Sequence, residues 1–134
     1  MATTATNVNL ENLRRSYKAF SDGDMETIGG LMSDDTVWHI LGHSHLAGDL
    51  KGKDAVFGFF GKLMTETEGT FRLEVHDVLA NGEHSIGLVT ERAEKGGKKW
   101  ESRAVHVIHT DADGRTKEFW AFQEDQAAAD DFWG

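Results

Sequence analysis

Leu10, Leu13, Tyr17 and Phe20 recur at steps of three and four between Asn7 and Asp22, the spacing of one helix face. Arg14, Arg15 and Lys18 fall elsewhere on that helix and are expected in water. Asp22-Gly23-Asp24 breaks it, and Asp24 is placed to cap a short second helix carrying Ile28, Leu31 and Met32 and ending at Ser33-Asp34-Asp35. Thr36 to Leu41, rich in β-branched and aromatic residues, predicts a short strand, and Gly42 to Lys53 a loop. Helical spacing returns through Val56, Phe59, Phe60 and Leu63, which predicts a third helix over Asp54 to Thr67.

After Thr70 the pattern alternates, and the turn signals Asn81-Gly82, Gly96-Gly97 and Asp113-Gly114 divide it. Four antiparallel strands are predicted, over Phe71 to Ala80, His84 to Glu94, Lys99 to Thr110 and Arg115 to Glu124, with a closing amphipathic helix over Asp125 to Trp133. Helices in the first half and a meander in the second predict an α+β fold, one curved antiparallel sheet over three N-terminal helices. Helix stripes and strand parity assign Phe20, Leu31, Phe60, Val75, Leu88, Val105 and Val107 to the core.

Length and charge narrow the classes. A chain of 134 residues with 8 Phe and 4 Trp fits one packed domain over 1–134, with residues 1–6 expected to be disordered. The absence of Cys excludes disulfides, thiolate metal sites and Cys nucleophiles. A net charge of -9 opposes phosphate neutralisation, so no nucleic-acid partner is expected. No apolar run is long enough to span a bilayer, and Met1 to Asn9 lacks an export signal, so no membrane partner and a cytoplasmic location are expected. Glu118 to Gly134 is acidic but holds Phe119, Trp120, Phe122, Phe132 and Trp133, and is expected to pack.

Four stretches carry a resemblance: Tyr17-Lys18-Ala19-Phe20-Ser21-Asp22-Gly23-Asp24, Met32-Ser33-Asp34-Asp35-Thr36-Val37-Trp38-His39, Leu46-Ala47-Gly48 with Gly52-Lys53-Asp54-Ala55-Val56, and Asp113-Gly114-Arg115 before Glu118-Phe119-Trp120. With this element order, the chain resembles the nuclear transport factor 2-like superfamily, in its SnoaL-like and ketosteroid isomerase-like branch, which also holds polyketide cyclase-like members. The resemblance implies a cone-shaped α+β barrel, and it is specific for fold rather than for reaction.

The resemblance also implies roles. The isomerases' general base stands three residues before the Gly closing the first strand, a count that reaches His39 from Gly42. Imidazole suits proton transfer near neutrality. The isomerases' helix-one donor falls on Ser16, beside Tyr17, and their protonated carboxylic acid falls on Arg103, which would act as an anion clamp. Limonene-epoxide-hydrolase-like members have an Arg-x-Asp pair, echoed by Arg92-Ala93-Glu94, but their third carboxylate would fall near Ala121 or Phe122.

His39 and Arg103 are accordingly the candidate catalytic residues, and Tyr17, Trp38, Phe60, Leu88, Arg92, Phe119, Trp120 and Gln123 the candidate ligand-binding ones. Alternation leaves open which of Phe119 and Trp120 points inward. His39, His43 and His45 lie close enough in sequence to raise a metal site, but the Gly break and the lack of a suitably spaced Glu favour none. His106 and His109 are expected as surface or dimer-face imidazoles, and Glu91, Arg92, Glu94, Glu101 and Arg103 as cross-strand ion pairs. The expected activity is cofactor-independent acid–base catalysis, of isomerase, cyclase or dehydratase type, on a small hydrophobic, cyclic substrate. The alternative is a non-catalytic small-molecule-binding or dimerisation module of the same fold. Aromatics on both faces of Phe119 to Phe122 point to a homodimer.

Overall fold

The computed structural model describes residues 2–134. The elements run α1 (Ala2–Asp22), α2 (Met25–Gly30), β1 (Met32–Ile40), β2 (Gly48–Lys51), α3 (Lys53–Glu66), β3 (Arg72–Ala80), β4 (His84–Lys95), β5 (Lys98–Thr110), β6 (Thr116–Gln123) and α4 (Gln126–Trp133). The six strands form one sheet in the order β2-β1-β6-β5-β4-β3. Every neighbouring pair is antiparallel except β1 with β6, which is parallel. Register shifts between Met32 and Val37, Val75 and Asp77, and His109 and Thr110 bend the sheet toward the helices. The expectation of disorder over 1–6 falls in part on Met1, which lies outside the described residues.

The meander follows the turn signals, and Asp24 caps α2 as its residue type dictates, accepting from the Thr27 backbone N–H at 3.1 Å. Two boundaries differ. The second helix stops at Gly30, and Met32, expected on its apolar face, begins β1 and is 2% exposed. Within the expected loop, Gly48–Lys51 forms edge strand β2, pairing Trp38 with Leu50 and His39 with Asp49. Four residues reading Gly-Asp-Leu-Lys have no alternation to detect; β1 supplies their hydrogen bonds and hence their conformation.

The core lies between the concave face of the sheet and helices α1 and α3. Leu13 from α1, Val56, Phe60 and Leu63 from α3, and Trp38, Ile108 and Phe119 from the sheet are buried there. Burying one such side chain is worth about 1.5–3 kcal/mol. Asn9 and Asn12 tie α1 to the hairpin turns by donating to the carbonyls of Asn81 and Gly114, each at 2.9 Å.

Of the expected core, Leu31 and Phe60 are buried and Phe20 packs against it partly covered. Val75 and Val105 are exposed, and Leu88 and Val107 are only half-buried. The expected parity of β4 and β5 is inverted: Val89, Glu91, Ala104, His106 and Ile108 face the helices, while Leu88, Val105 and Val107 lie on the convex side. Apolar residues occur on both faces, Leu88, Val105 and Val107 outside and Val89, Ala104 and Ile108 inside, so these positions alone do not distinguish the faces.

Candidate functional site

Strands β1, β3, β4, β5 and β6, helices α1, α2 and α3, and α4 at one end line a cavity of about 130 Å³. Its wall is aromatic, with Phe20, Trp38, Phe60, Phe71, Phe119 and Trp133 among the residues that line it. Trp38 stacks on Phe119 with ring centroids 4.0 Å apart and meets Phe60 edge-on. Its indole N–H is buried without a hydrogen-bond partner.

Set into this apolar wall is a short polar chain. Helical spacing that buries Leu13 also turns Tyr17 inward, and its hydroxyl lies 2.8 Å from His106 Nδ1. Gly87, opposite His106 in the β4–β5 register, makes room for it: a Cβ there would fall 1.8 Å from the phenolic oxygen. A glycine inside a strand weakens it, and close approach of another group is the usual reason for one. His106 Nε2 is 3.9 Å from Glu91 Oε1, too far for a hydrogen bond. Glu91 Oε2 accepts from Gln123 Nε2 at 2.9 Å, and Gln123 Oε1 accepts from Ser102 Oγ at 2.9 Å. His106 and Glu91 are buried, 4% and 8% exposed. Burial, and secondarily the negative charge of Glu91, push the Tyr17 phenol above the ordinary tyrosine range, so it remains an O–H donor.

The sequence candidates divide by strand parity. Tyr17, Trp38, Phe60, Phe119 and Gln123 line the cavity. His39, Leu88, Arg92, Arg103 and Trp120 do not; each sits one residue from an inward position and therefore on the convex face. Because Trp38 fills the inner face of β1, its neighbour His39 must point out, and because Phe119 points in, Trp120 points out. His39 stacks on Trp120, with Nδ1 2.8 Å from Asp49 Oδ1 and Nε2 2.9 Å from Glu118 Oε2. An acceptor stands at each nitrogen, an arrangement that favours the protonated ring; the hydrogen bonds to Glu118 and Asp49 raise its pKa above the ordinary histidine value. Arg103 is exposed and donates to Glu124 at 3.0 Å. Arg92 bridges Glu74 and Glu101 across the outer sheet, the cross-strand pairing expected of it.

His106 and Glu91 are the cavity residues that sequence parity missed. A usable signal was present: Glu101 and Arg103 put two charges on one face of β5, which leaves the small residues Ser102 and Ala104, and with them His106, on the other. His45 serves packing, with Nε2 2.9 Å from Glu66 and Nδ1 2.9 Å from the Gly134 carbonyl. Among the described residues, no group of three or more His, Asp or Glu is arranged to hold a metal ion. No described helix is long and apolar enough to cross a membrane.

Residues 13–119 match the family model of the SnoaL-like domain. An uncharacterized protein of Mycobacterium tuberculosis is 30% identical over 125 residues, 92% of this chain and 95% of that protein. Bal32a, from a soil-derived mobile gene cassette, is 36% identical with a TM-score of 0.93, over 97% of this chain and 99% of that one. A protein of unknown function with a cystatin-like fold from Xanthomonas campestris is 27% identical with a TM-score of 0.87, over 94% and 98%. A SnoaL-like protein from Jannaschia, 13% identical with a TM-score of 0.78 over 96% and 94%, shares the fold alone. So does an epoxide hydrolase of Mycobacterium tuberculosis, 18% identical with a TM-score of 0.72 over 93% and 90%.

Proposed function

The chain belongs to the SnoaL-like family, and from that premise we propose that it is a cofactor-independent acid–base enzyme acting on a small hydrophobic cyclic substrate. The observation that supports this most directly is an imidazole inside an aromatic cavity with one nitrogen tied to a buried phenol and the other without a hydrogen bond. In the tautomer where His106 Nδ1–H donates to the phenolic oxygen, the Tyr17 O–H is free for a substrate carbonyl and Nε2 is free to take a proton. His106 is then the base and Tyr17 the donor to the developing enolate oxygen, two roles that isomerisation, aldol cyclisation and dehydration share. Trp38, Phe60 and Phe119 hold the ring, and Gln123 orients Glu91.

Hydrogen–deuterium exchange at the α-carbons of cyclohexanone, followed by NMR, tests the proton-transfer step with a simple cyclic ketone in place of the natural substrate. The expected result is exchange faster than in buffer that His106→Ala abolishes and His39→Ala leaves intact. Exchange at the buffer rate, or insensitive to His106→Ala, overturns the catalytic reading in favour of a binding module.

A second copy of the chain is the proposed occupant of the convex sheet face. Leu79, Val105 and Phe122 are exposed there at 48%, 36% and 46%, and Leu88, Val107 and Trp120 join them into one apolar surface. A twofold pair covers such a surface without propagating further. Light scattering is expected to give twice the 14.9 kDa chain mass, and Phe122→Asp to return it to monomer; a monomeric wild type refutes the pairing.

A further inference from the structure

The proposed function leaves Glu91 without a task of its own. Its carboxylate lies in an aromatic cavity where, among the described residues, no lysine or arginine reaches the wall. Oε2 is engaged by Gln123, a neutral donor, whereas Oε1 has only His106 Nε2, beyond hydrogen-bond distance. A buried carboxylate is costly unless a cation or several donors face it. In the tautomer that frees the Tyr17 hydroxyl, Nε2 is also an acceptor, so two acceptors 3.9 Å apart face one another with no hydrogen between them. An N–H donor of a ligand satisfies Oε1 and leaves Nε2 to take the substrate's proton. Trp38, Phe60 and Phe119 belong to the same wall, and aromatic rings attract cations. The cavity's size is also selective: a cavity of about 150 Å³ holds benzene, and this one is about 130 Å³.

We propose that the cavity selects a single-ring hydrophobic amine, bound as its ammonium ion with N–H donors on Glu91 Oε1, over neutral and anionic molecules of the same shape. This rests on the reading of the cavity as a substrate site and names its substrate class. The anchored nitrogen would hold a ring carbon beside His106 and Tyr17, so that binding at Glu91 positions the reacting centre. Carboxylic acids are excluded because they would set a second negative charge against Glu91 with no cationic side chain to offset it.

Benzylamine, benzyl alcohol and benzoate share one ring and one substituent but carry charges of opposite sign or none at neutral pH. Isothermal titration of the wild-type protein with each is expected to rank them in that order, benzylamine binding about tenfold more tightly than benzyl alcohol and benzoate weakest. Glu91→Gln keeps an acceptor and the shape but removes the charge, and is expected to bring benzylamine to within about twofold of benzyl alcohol. Glu101→Gln removes the same charge from the outer face and is expected to leave the ranking unchanged, which separates the site from the general attraction of an acidic protein. Benzoate equal to benzylamine, or a ranking untouched by Glu91→Gln, overturns the proposal. So does the absence of binding by all three. Because binding is read without turnover, proton exchange that fails while the ranking holds refutes catalysis and leaves the ligand class standing.

Discussion

Two histidines on the two faces of one sheet show how differently the same side chain is used. His39, on the convex side, has a carboxylate within 3 Å of each nitrogen and an indole beneath it; its hydrogen-bonding capacity is full. His106, on the concave side, has a phenol at one nitrogen and no hydrogen bond at the other, where the Glu91 carboxylate stands 3.9 Å away. The saturated ring contributes to packing and charge balance, whereas the unsaturated ring is available to a ligand. Availability, rather than burial or residue type alone, distinguishes a group fit for chemistry from a structural one.

The largest separation between the two is expected in catalysis. His106→Ala should lower α-proton exchange by about 10²–10⁴, the worth of a positioned acid–base group, while His39→Ala should leave the rate near wild type. Equal losses would erase the distinction between the faces.

Next comes the support beneath Tyr17. Gly87→Ala places a methyl where the phenol now sits and is expected to cost about 1–3 kcal/mol of stability, as overpacking does. Tyr17 is the chain's sole tyrosine, so its ionisation is readable by absorbance without interference from another phenol. Displaced from its niche, it should titrate closer to the ordinary tyrosine range than in the wild type, in which burial and Glu91 hold it higher. An unchanged titration in folded Gly87→Ala would mean that the glycine does not position the phenol.

The smallest effect is expected on the convex face. The folded-state pKa of His39 is raised above its ordinary 6.5, so the folded protein binds this proton more tightly than the unfolded chain. Its stabilising contribution is therefore fully present below about 6.5, the unfolded value, and is lost as pH rises through the higher folded value. Denaturant unfolding across that window should show wild-type stability falling toward that of His39→Asn as pH rises. Curves that remain parallel would show that the Asp49 and Glu118 contacts contribute nothing to pH dependence.

The same face-to-face contrast shows what the sequence made legible. Turn dipeptides and a change of hydrophobic period are local signals, and they located the hairpins and α4. Strand β2 carries no such signal because its conformation comes from pairing with β1. The candidate site is half legible: Tyr17, Trp38, Phe60, Phe119 and Gln123 line the cavity, but counting from Gly42 places His39 on the same side as Trp38, which strand alternation forbids. On β5, hydrophobicity points Val105 and Val107 inward, although they share the outer face with Glu101 and Arg103. The charges at Glu101 and Arg103 would have settled the parity and brought out His106.

The parallel pairing of β1 with β6 has a kinetic consequence. Every other strand pair joins neighbours along the chain, whereas Trp38 against Phe119 joins segments far apart in sequence. Closing so long a loop carries a large entropy cost before its contacts repay it. The meander from β3 to β6 can therefore assemble before β1 arrives, and the cavity comes into being only when β1 docks. A ligand that fills it acts on a feature completed late in folding, so occupancy is expected to slow unfolding and leave the folding rate almost unchanged.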